Sequence, residues 1–263
     1  MKQRTICVAQ TCPTPGNVAA NLAEHILLVQ LAAAYGAGVI LFPELSLTGY
    51  ELVFADEVAM SEDDPRLGAL LDAASSCAIT VVAGAPVRIG SDLHIGAFVL
   101  QPEGTRLLYT KQHLGAFGES ALCDGSLPPP ERSIFQPGAR DPLVQLGEGS
   151  AALAICADTG RASHPQRAAE RGAETYLASM FVIPSEFDGN CARLRQCAVH
   201  HSMLVALANF GSSTGGLAAA GRSSIWSADG VLRAQLPSSG AGIAVVTETS
   251  DGWRNETTML GSG

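Results

Sequence analysis

The sequence predicts an α/β fold, built as a mixed pair of sheets with helices outside. Three observations carry this. Short apolar runs of strand length alternate with longer segments of helical spacing in both halves of the chain. Two other stretches read as β-hairpins, which puts antiparallel pairs beside the βα units. No linker, repeat or low-complexity stretch divides the chain, so residues 1–250 read as one domain and 251–263 as a short polar C-terminal tail. With 263 residues, 47% of them hydrophobic and 16% charged, the chain can build one large domain around an ordinary core.

Residues 5–10 open the chain as a strand. Residues 17–35 carry helical spacing through Leu22, Ile26, Leu27, Val29 and Leu31, with Asn17 suited to the N-cap and Gly36 to the stop. The strand over 39–42 is closed by Pro43, which has no N–H to give a ladder. A helix over 67–76 and a buried strand over 79–87 follow. Residues 93–101 and 105–110 flank the turn Pro102-Glu103-Gly104 as the first hairpin. From 115 to 140 the chain holds Gly118, Gly125, Pro128-Pro129-Pro130 and Pro137-Gly138. It reads as a long loop, and loops of that length are usually functional. The alternation then resumes with a strand over 151–155, a helix over 165–171, a strand over 175–180, a helix over 191–201 and a strand over 203–209. A second hairpin, 223–228 and 231–235 around Asp229-Gly230, leads to a strand over 242–247.

The net charge of −9 argues against nucleic acid or an anionic membrane as the main partner. No apolar run approaches the roughly 18 residues of a membrane helix, and the N-terminal apolar stretch is too short for a signal peptide. The seven cysteines, Cys7, Cys12, Cys77, Cys123, Cys156, Cys191 and Cys197, are odd in number and irregularly spaced. They suggest no disulfide framework, and the reading is a cytoplasmic protein with reduced thiols. Cys197, His200 and His201 share a helix face, but no carboxylate joins them, so no metal is expected there. The sequence has neither a GxGxxG nor a P-loop pattern, and no cofactor is expected.

Three strand ends carry chemistry. The run Ala151-Ala152-Leu153-Ala154-Ile155 stops at Cys156 and opens into Ala157-Asp158, placing a thiol at the rim of a sheet, where α/β proteins meet their ligands. Leu41-Phe42-Pro43-Glu44 delivers a carboxylate and Leu107-Leu108-Tyr109-Thr110-Lys111 an amine. A thiol, a base and a cation are the parts of a covalent hydrolase. Singly, each has a plainer reading: a buried inert thiol, a turn, and a solvated lysine.

Their surroundings are more specific. Leu41-Phe42-Pro43-Glu44-Leu45-Ser46-Leu47-Thr48-Gly49-Tyr50 resembles the glutamate motif of the nitrilase superfamily, the carbon–nitrogen hydrolases. Tyr109-Thr110-Lys111-Gln112-His113-Leu114 resembles its lysine motif, and Ile155-Cys156-Ala157-Asp158 with Pro165 and Gly172-Ala173 its cysteine motif. Glu131-Arg132-Ser133-Ile134-Phe135-Gln136-Pro137-Gly138, Ala208-Asn209 and Gly221-Arg222-Ser223-Ser224-Ile225 extend the match from about Thr5 to Thr247. The resemblance implies a four-layer α-β-β-α sandwich, usually paired into a homodimer or higher homo-oligomer. It also implies a Glu-Lys-Cys triad: Glu44 as base, Lys111 as oxyanion cation and Cys156 as nucleophile. A second glutamate that braces the lysine is matched by Glu131, with Glu119 the competing candidate. Substrate contacts implied by position are Tyr50, the N–H of Ala157, Met180 and Phe181.

The chain departs from the pattern around the pocket. Ala157 stands where an aromatic residue is common, and Thr159–Pro165 is longer than usual and lacks the matching carboxylate. Arg161 and His164 in this loop could meet an acidic substrate group, or simply be solvated. Cys156-Ala157-Asp158 is closer to the amidase and carbamoylase branches than to the nitrile-hydrolysing one. The expected substrate is therefore a small-molecule primary amide. Hydrolysis of an N-carbamoyl amine is the first alternative, nitrile hydrolysis the second, and a catalytically silent binding protein the alternative of another class.

Overall fold

The computed structural model describes residues 4–118, 127–147 and 149–261. Its strands form two sheets. The first has seven strands in the order β13-β12-β1-β2-β3-β4-β5: β1 Arg4–Gln10, β2 Val39–Leu41, β3 Thr80–Ile89, β4 Asp92–Leu100, β5 Arg106–Thr110, β12 Gly242–Thr249 and β13 Gly252–Met259. The second has six, in the order β11-β10-β9-β8-β7-β6: β6 Val144–Leu146, β7 Gly149–Ile155, β8 Thr175–Ser179, β9 Leu204–Ala208, β10 Ser224–Trp226 and β11 Leu232–Gln235. In each sheet three central strands run parallel, β1-β2-β3 and β7-β8-β9, with antiparallel neighbours on both sides.

The two-residue side-chain period sorts these strands into layers. Ile6 and Val8, Val99, Leu153 and Ile155, Leu177, Leu204 and Ala206 point between the sheets and meet in one apolar cluster. The alternate residues Cys7 and Ala9, Val81 and Ala83 face outward under helices α1 (Val18–Ala34) and α3 (Gly68–Ser76). Ala152, Ala154, Tyr176, Ala178, Val205 and Leu207 face outward on the other side, under α4 (Ser163–Glu170) and α5 (Phe187–His201). The expected α-β-β-α sandwich is the fold. A short helix α2 (Ala55–Val58) lies between β2 and α3.

Several boundaries differ from the sequence reading. Most of the stretch expected as a tail is strand: β13, Gly252–Met259, pairs antiparallel with β12 along its whole length. Its side chains are mostly exposed, so it lacks the apolar alternation that announces a strand. Helix α5 begins at Phe187, four residues before the expected start. On α1, Asn17 caps as expected, its side chain accepting from the Ala20 N–H at 3.1 Å, but Leu27 is exposed and His25 takes a core position instead.

Candidate active site

The carboxyl ends of β2, β5 and β7 meet at one end of the sandwich. Glu44 lies in a tight loop after β2. Phe42 N–H donates to Val82 O and Leu47 N–H to Gly84 O, both at 2.9 Å, so the loop is laid on β3. Helix α1 holds it from behind. His25 donates from Nδ1 to Asn21 O at 2.7 Å, which leaves Nε2 to accept from the Ser46 hydroxyl at 2.9 Å. Burial lowers the pKa of this imidazole to about 4, so it is neutral at physiological pH. Two bonds tie the loop to the second sheet: Ser179 Oγ to Phe42 O at 2.7 Å and Glu44 N–H to Met180 O at 3.4 Å.

Lys111 follows β5. Its N–H donates to Ile95 O at 2.8 Å and its carbonyl accepts from Gly138 N–H at 2.7 Å. Its ammonium donates to Glu44 Oε1 at 2.6 Å and to Glu131 Oε1 at 2.7 Å. All three side chains are essentially inaccessible to water. Burial alone would strip the proton from the lysine, but the two carboxylates outweigh it and hold the group firmly charged. Glu44 responds oppositely. Burial raises it and the Glu131 charge adds to this, while Lys111 pulls it back, leaving its pKa at about 7. Glu44 Oε2 is buried and has no hydrogen-bond partner among the described residues, which marks it as an acceptor held in reserve.

Glu131 opens a short 3-10 turn, Glu131–Ser133, in the long loop. Beside Lys111, its Oε1 accepts from the Tyr50 hydroxyl at 2.7 Å and its Oε2 from Gly115 N–H at 2.7 Å. Glu131 is thus a carboxylate on Lys111; the competing candidate, Glu119, lies outside the described residues.

Cys156 ends β7 and starts a 3-10 turn, Cys156–Gly160. Its φ of 43° is in the left-handed region, which a side chain bearing Cβ adopts at a cost of about 1–3 kcal/mol. The thiol lies 3.7 Å from Phe181 O. Burial and the nearby Glu44 charge push its pKa up, against a smaller pull from Lys111, so the resting group is a thiol.

A cavity of 440 Å³ opens onto this thiol. Tyr50, Ala157 and Phe181 line it as expected, together with Phe117, Glu131 and, at the α5 side, Asn190 and Arg193. Tyr50, Phe117 and Phe181 pack their rings at 5.0–5.6 Å. Met180 is not at the cavity: its side chain packs in the outer core beneath the helices. Neighbouring residues of extended chain point to opposite faces, so with Phe181 turned inward Met180 must turn outward. His164 is also not solvated. It is 2% exposed and bonds Tyr109 and Tyr176, whereas Arg161 is exposed.

Two residues matter more than the sequence reading gave them. Asn209, at the end of β9, pins the next strand end: its amide accepts from Val182 N–H at 2.9 Å and donates to Val182 O at 3.1 Å, fixing the carbonyl beside Cys156. Asp158 collects donors from both sheets. Its position two residues after the cysteine, buried by the turn, was the available signal.

Residues 5–255 match the family model described as carbon-nitrogen hydrolase. The chain belongs to the carbon-nitrogen hydrolase family. Solved structures share the fold. A cysteine-to-alanine variant of the amidase from Nesterenkonia sp. AN1 in complex with butyramide is similar at 24% identity, covering 93% of this chain and 90% of that one, with a TM-score of 0.78. A glutamate-to-glutamine variant of that amidase, bearing the acetamide moiety of fluoroacetamide on its active-site cysteine, is similar at 25% identity, 93% and 89% coverage and a TM-score of 0.79. A curated relative, the glutamine-dependent NAD(+) synthetase of Thermotoga maritima, is 26% identical over 179 residues. This hydrolase spans 29% of that relative's length, and the match covers 67% of the present chain. No helix among the described residues is long and apolar enough to cross a membrane.

Proposed function

We propose that this carbon–nitrogen hydrolase is a cysteine amidase that converts a small primary amide and water to a carboxylate and ammonia. The observation that carries the reading is the placement of Cys156. Its thiol faces the cavity from a left-handed turn, next to a buried ammonium held between two carboxylates.

Because the resting sulfur is a thiol, it needs a base as it attacks the amide carbon. Glu44, with a pKa near 7 and an unpaired Oε2, suits that task, since a base works best when its pKa lies near the working pH. The S–C bond forms, the thiol proton goes to Glu44, and the carbonyl electrons move to oxygen. Lys111 stabilises that oxyanion, joined by the N–H of Ala157, which is the second residue of the turn Cys156–Gly160 and so has no partner within it. Glu44 returns the proton to the leaving nitrogen, the C–N bond breaks, and ammonia departs from a thioester. Water then gives Glu44 a proton and attacks the thioester; the C–S bond breaks, Glu44 passes that proton to the sulfur, and the released acid ionises to the carboxylate. Glu131 acts by holding Lys111, Tyr50 and the Gly115 backbone in place.

The apolar ring wall of Tyr50, Phe117 and Phe181 suits an acyl group of modest size. Family resemblance further supports a homodimer or larger assembly, and the odd number and irregular spacing of the cysteines support a cytoplasmic setting with reduced thiols. The test is ammonia release from a panel of primary amides, N-carbamoyl amino acids and nitriles, with C156A alongside. Release from amides that disappears in the variant is expected. Release confined to carbamoyl compounds or nitriles overturns the choice of substrate, and release that survives in C156A overturns the nucleophile.

A further inference from the structure

We propose that Asp158 is a positioning residue whose buried carboxylate locks the strand end carrying Lys111 to the turn carrying Cys156. The proposal rests on the reading of those two residues as reaction partners. They come from different sheets, and side-chain packing between sheets does not fix a distance to a fraction of an ångström. Glu44 has its own ties across the gap, through Ser179 and the Met180 carbonyl. Asp158 is the corresponding tie for Lys111.

The carboxylate is fully buried and accepts five hydrogen bonds. Oδ1 takes Gln112 N–H at 3.1 Å, His113 N–H at 2.8 Å and His113 Nδ1 at 2.9 Å. Oδ2 takes the Tyr109 hydroxyl at 2.7 Å and Ile155 N–H at 3.1 Å. Four of these donors flank Lys111 on its own segment, and the fifth immediately precedes Cys156. A carboxylate has about four lone-pair sites, so this one is saturated with donors. An amide in its place would turn an NH₂ toward at least two of them.

The network extends behind Asp158 with one direction of donation. The Tyr109 proton goes to Asp158, so the Tyr109 oxygen accepts from His164 Nε2 at 2.9 Å. A neutral His164 then accepts at Nδ1 from the Tyr176 hydroxyl at 2.8 Å. Burial holds His164 below the ordinary histidine pKa, which agrees with that neutral form. Tyr176, His164, Tyr109 and Asp158 are all buried, and each link among these four pairs a donor with an acceptor; the Gln112 amide nitrogen lies at their edge, 3.4 Å from both the Tyr109 oxygen and His164 Nε2. Such aligned chains strengthen each member and rigidify what they hold. His164 belongs to the segment after the cysteine turn where the sequence departs from the family pattern. Here that departure supplies the imidazole that braces the tie.

The experiment compares the wild type with D158N and Y109F. It measures iodoacetamide labelling rates of each cysteine by peptide mass, with kcat and KM on the best amide and circular dichroism to confirm folding. Displacement of a reacting group by about 1 Å can cost on the order of 100-fold in rate. Folded D158N is expected to lose about 100-fold in kcat and about 10-fold in Cys156 labelling, and Y109F about 10-fold in kcat, with KM within about threefold. A merely structural role would lower the yield of folded protein and leave both rates per folded molecule unchanged, which overturns the proposal. If D158N does not fold, Y109F decides by the same two readings. Amide hydrolysis that survives in C156A refutes the catalytic reading beneath the proposal. Turnover that needs Cys156, with kcat and the Cys156 labelling rate unchanged in both variants, refutes this proposal alone.

Discussion

Replacing Glu131 by glutamine tests whether the buried charge balance sets the working pH of the base. One cation, Lys111, lies between two carboxylates, Glu44 and Glu131, and none of the three side chains is more than 2% exposed. The site therefore buries one negative charge in excess. Burial is the main reason the Glu44 pKa stands at about 7 instead of near 4.5, with the Glu131 charge adding to it against the pull of Lys111. E131Q removes one of the charges that push it up, so the Glu44 pKa falls. The base must be a carboxylate, and its rate is lost as pH drops below its pKa. The acid limb of kcat/KM should thus lie near pH 7 in the wild type and move to lower pH in E131Q. The substitution has a stability cost as well. Glu131 accepts from Lys111, Tyr50 and Gly115, each at 2.7 Å, and a glutamine NH₂ must face at least one of these donors. Losing a charged buried bond and stranding a donor costs about 2–3 kcal/mol. In a chain of this length that corresponds to a fall in Tm of roughly 4–12 °C. A pH–rate series by ammonia release, with a calorimetric melt on the same samples, reads both. An acid limb that stays at pH 7 or rises in E131Q would refute the assignment of Glu44 as the titrating base held up by Glu131.

Two other substitutions probe the frame of the site. A Cβ added at Gly84 would sit 2.4 Å from Leu45 N and 2.9 Å from Pro43 O, both backbone atoms of the Glu44 loop. G84A should cost about 1–3 kcal/mol in a denaturant melt and lower kcat by displacing Glu44; full activity would show that the loop can yield. F181A removes a ring packed on Tyr50, Phe117 and Phe210. It should cost about 3–5 kcal/mol in the same melt and raise kcat/KM for bulky relative to short acyl amides; an unchanged ranking would place the acyl group elsewhere.

The chemistry was legible because it falls at strand ends with distinctive flanks. Glu44 after Pro43, Lys111 after Tyr109-Thr110 and Cys156 before Ala157-Asp158 are the residues the proposed reaction uses, and each has flanks that set it apart in the sequence. The layers were legible for the same reason, since alternation such as Leu153 and Ile155 against Ala152 and Ala154 is a local property of the chain. What could not be read depended on partners distant in sequence. Strand β13 is polar and exists because β12 offers it an edge. His164 looks like a loop residue until α4 folds it onto Tyr109 and Tyr176. Met180 and Phe181 are equally apolar, and only the point at which β8 meets the cavity decides which faces it. Asp158 reads as a turn carboxylate, and its five donors come from segments up to 49 residues away.

The central claim is a thioester on Cys156, and trapping it is the most direct test. The protein is mixed with its best primary amide, quenched in acid within one turnover, and analysed as intact protein and as peptides. An added mass equal to the acyl group, confined to the Cys156 peptide and absent in C156A, is expected. Turnover with no acyl mass on Cys156, or acyl mass on another residue, would contradict it.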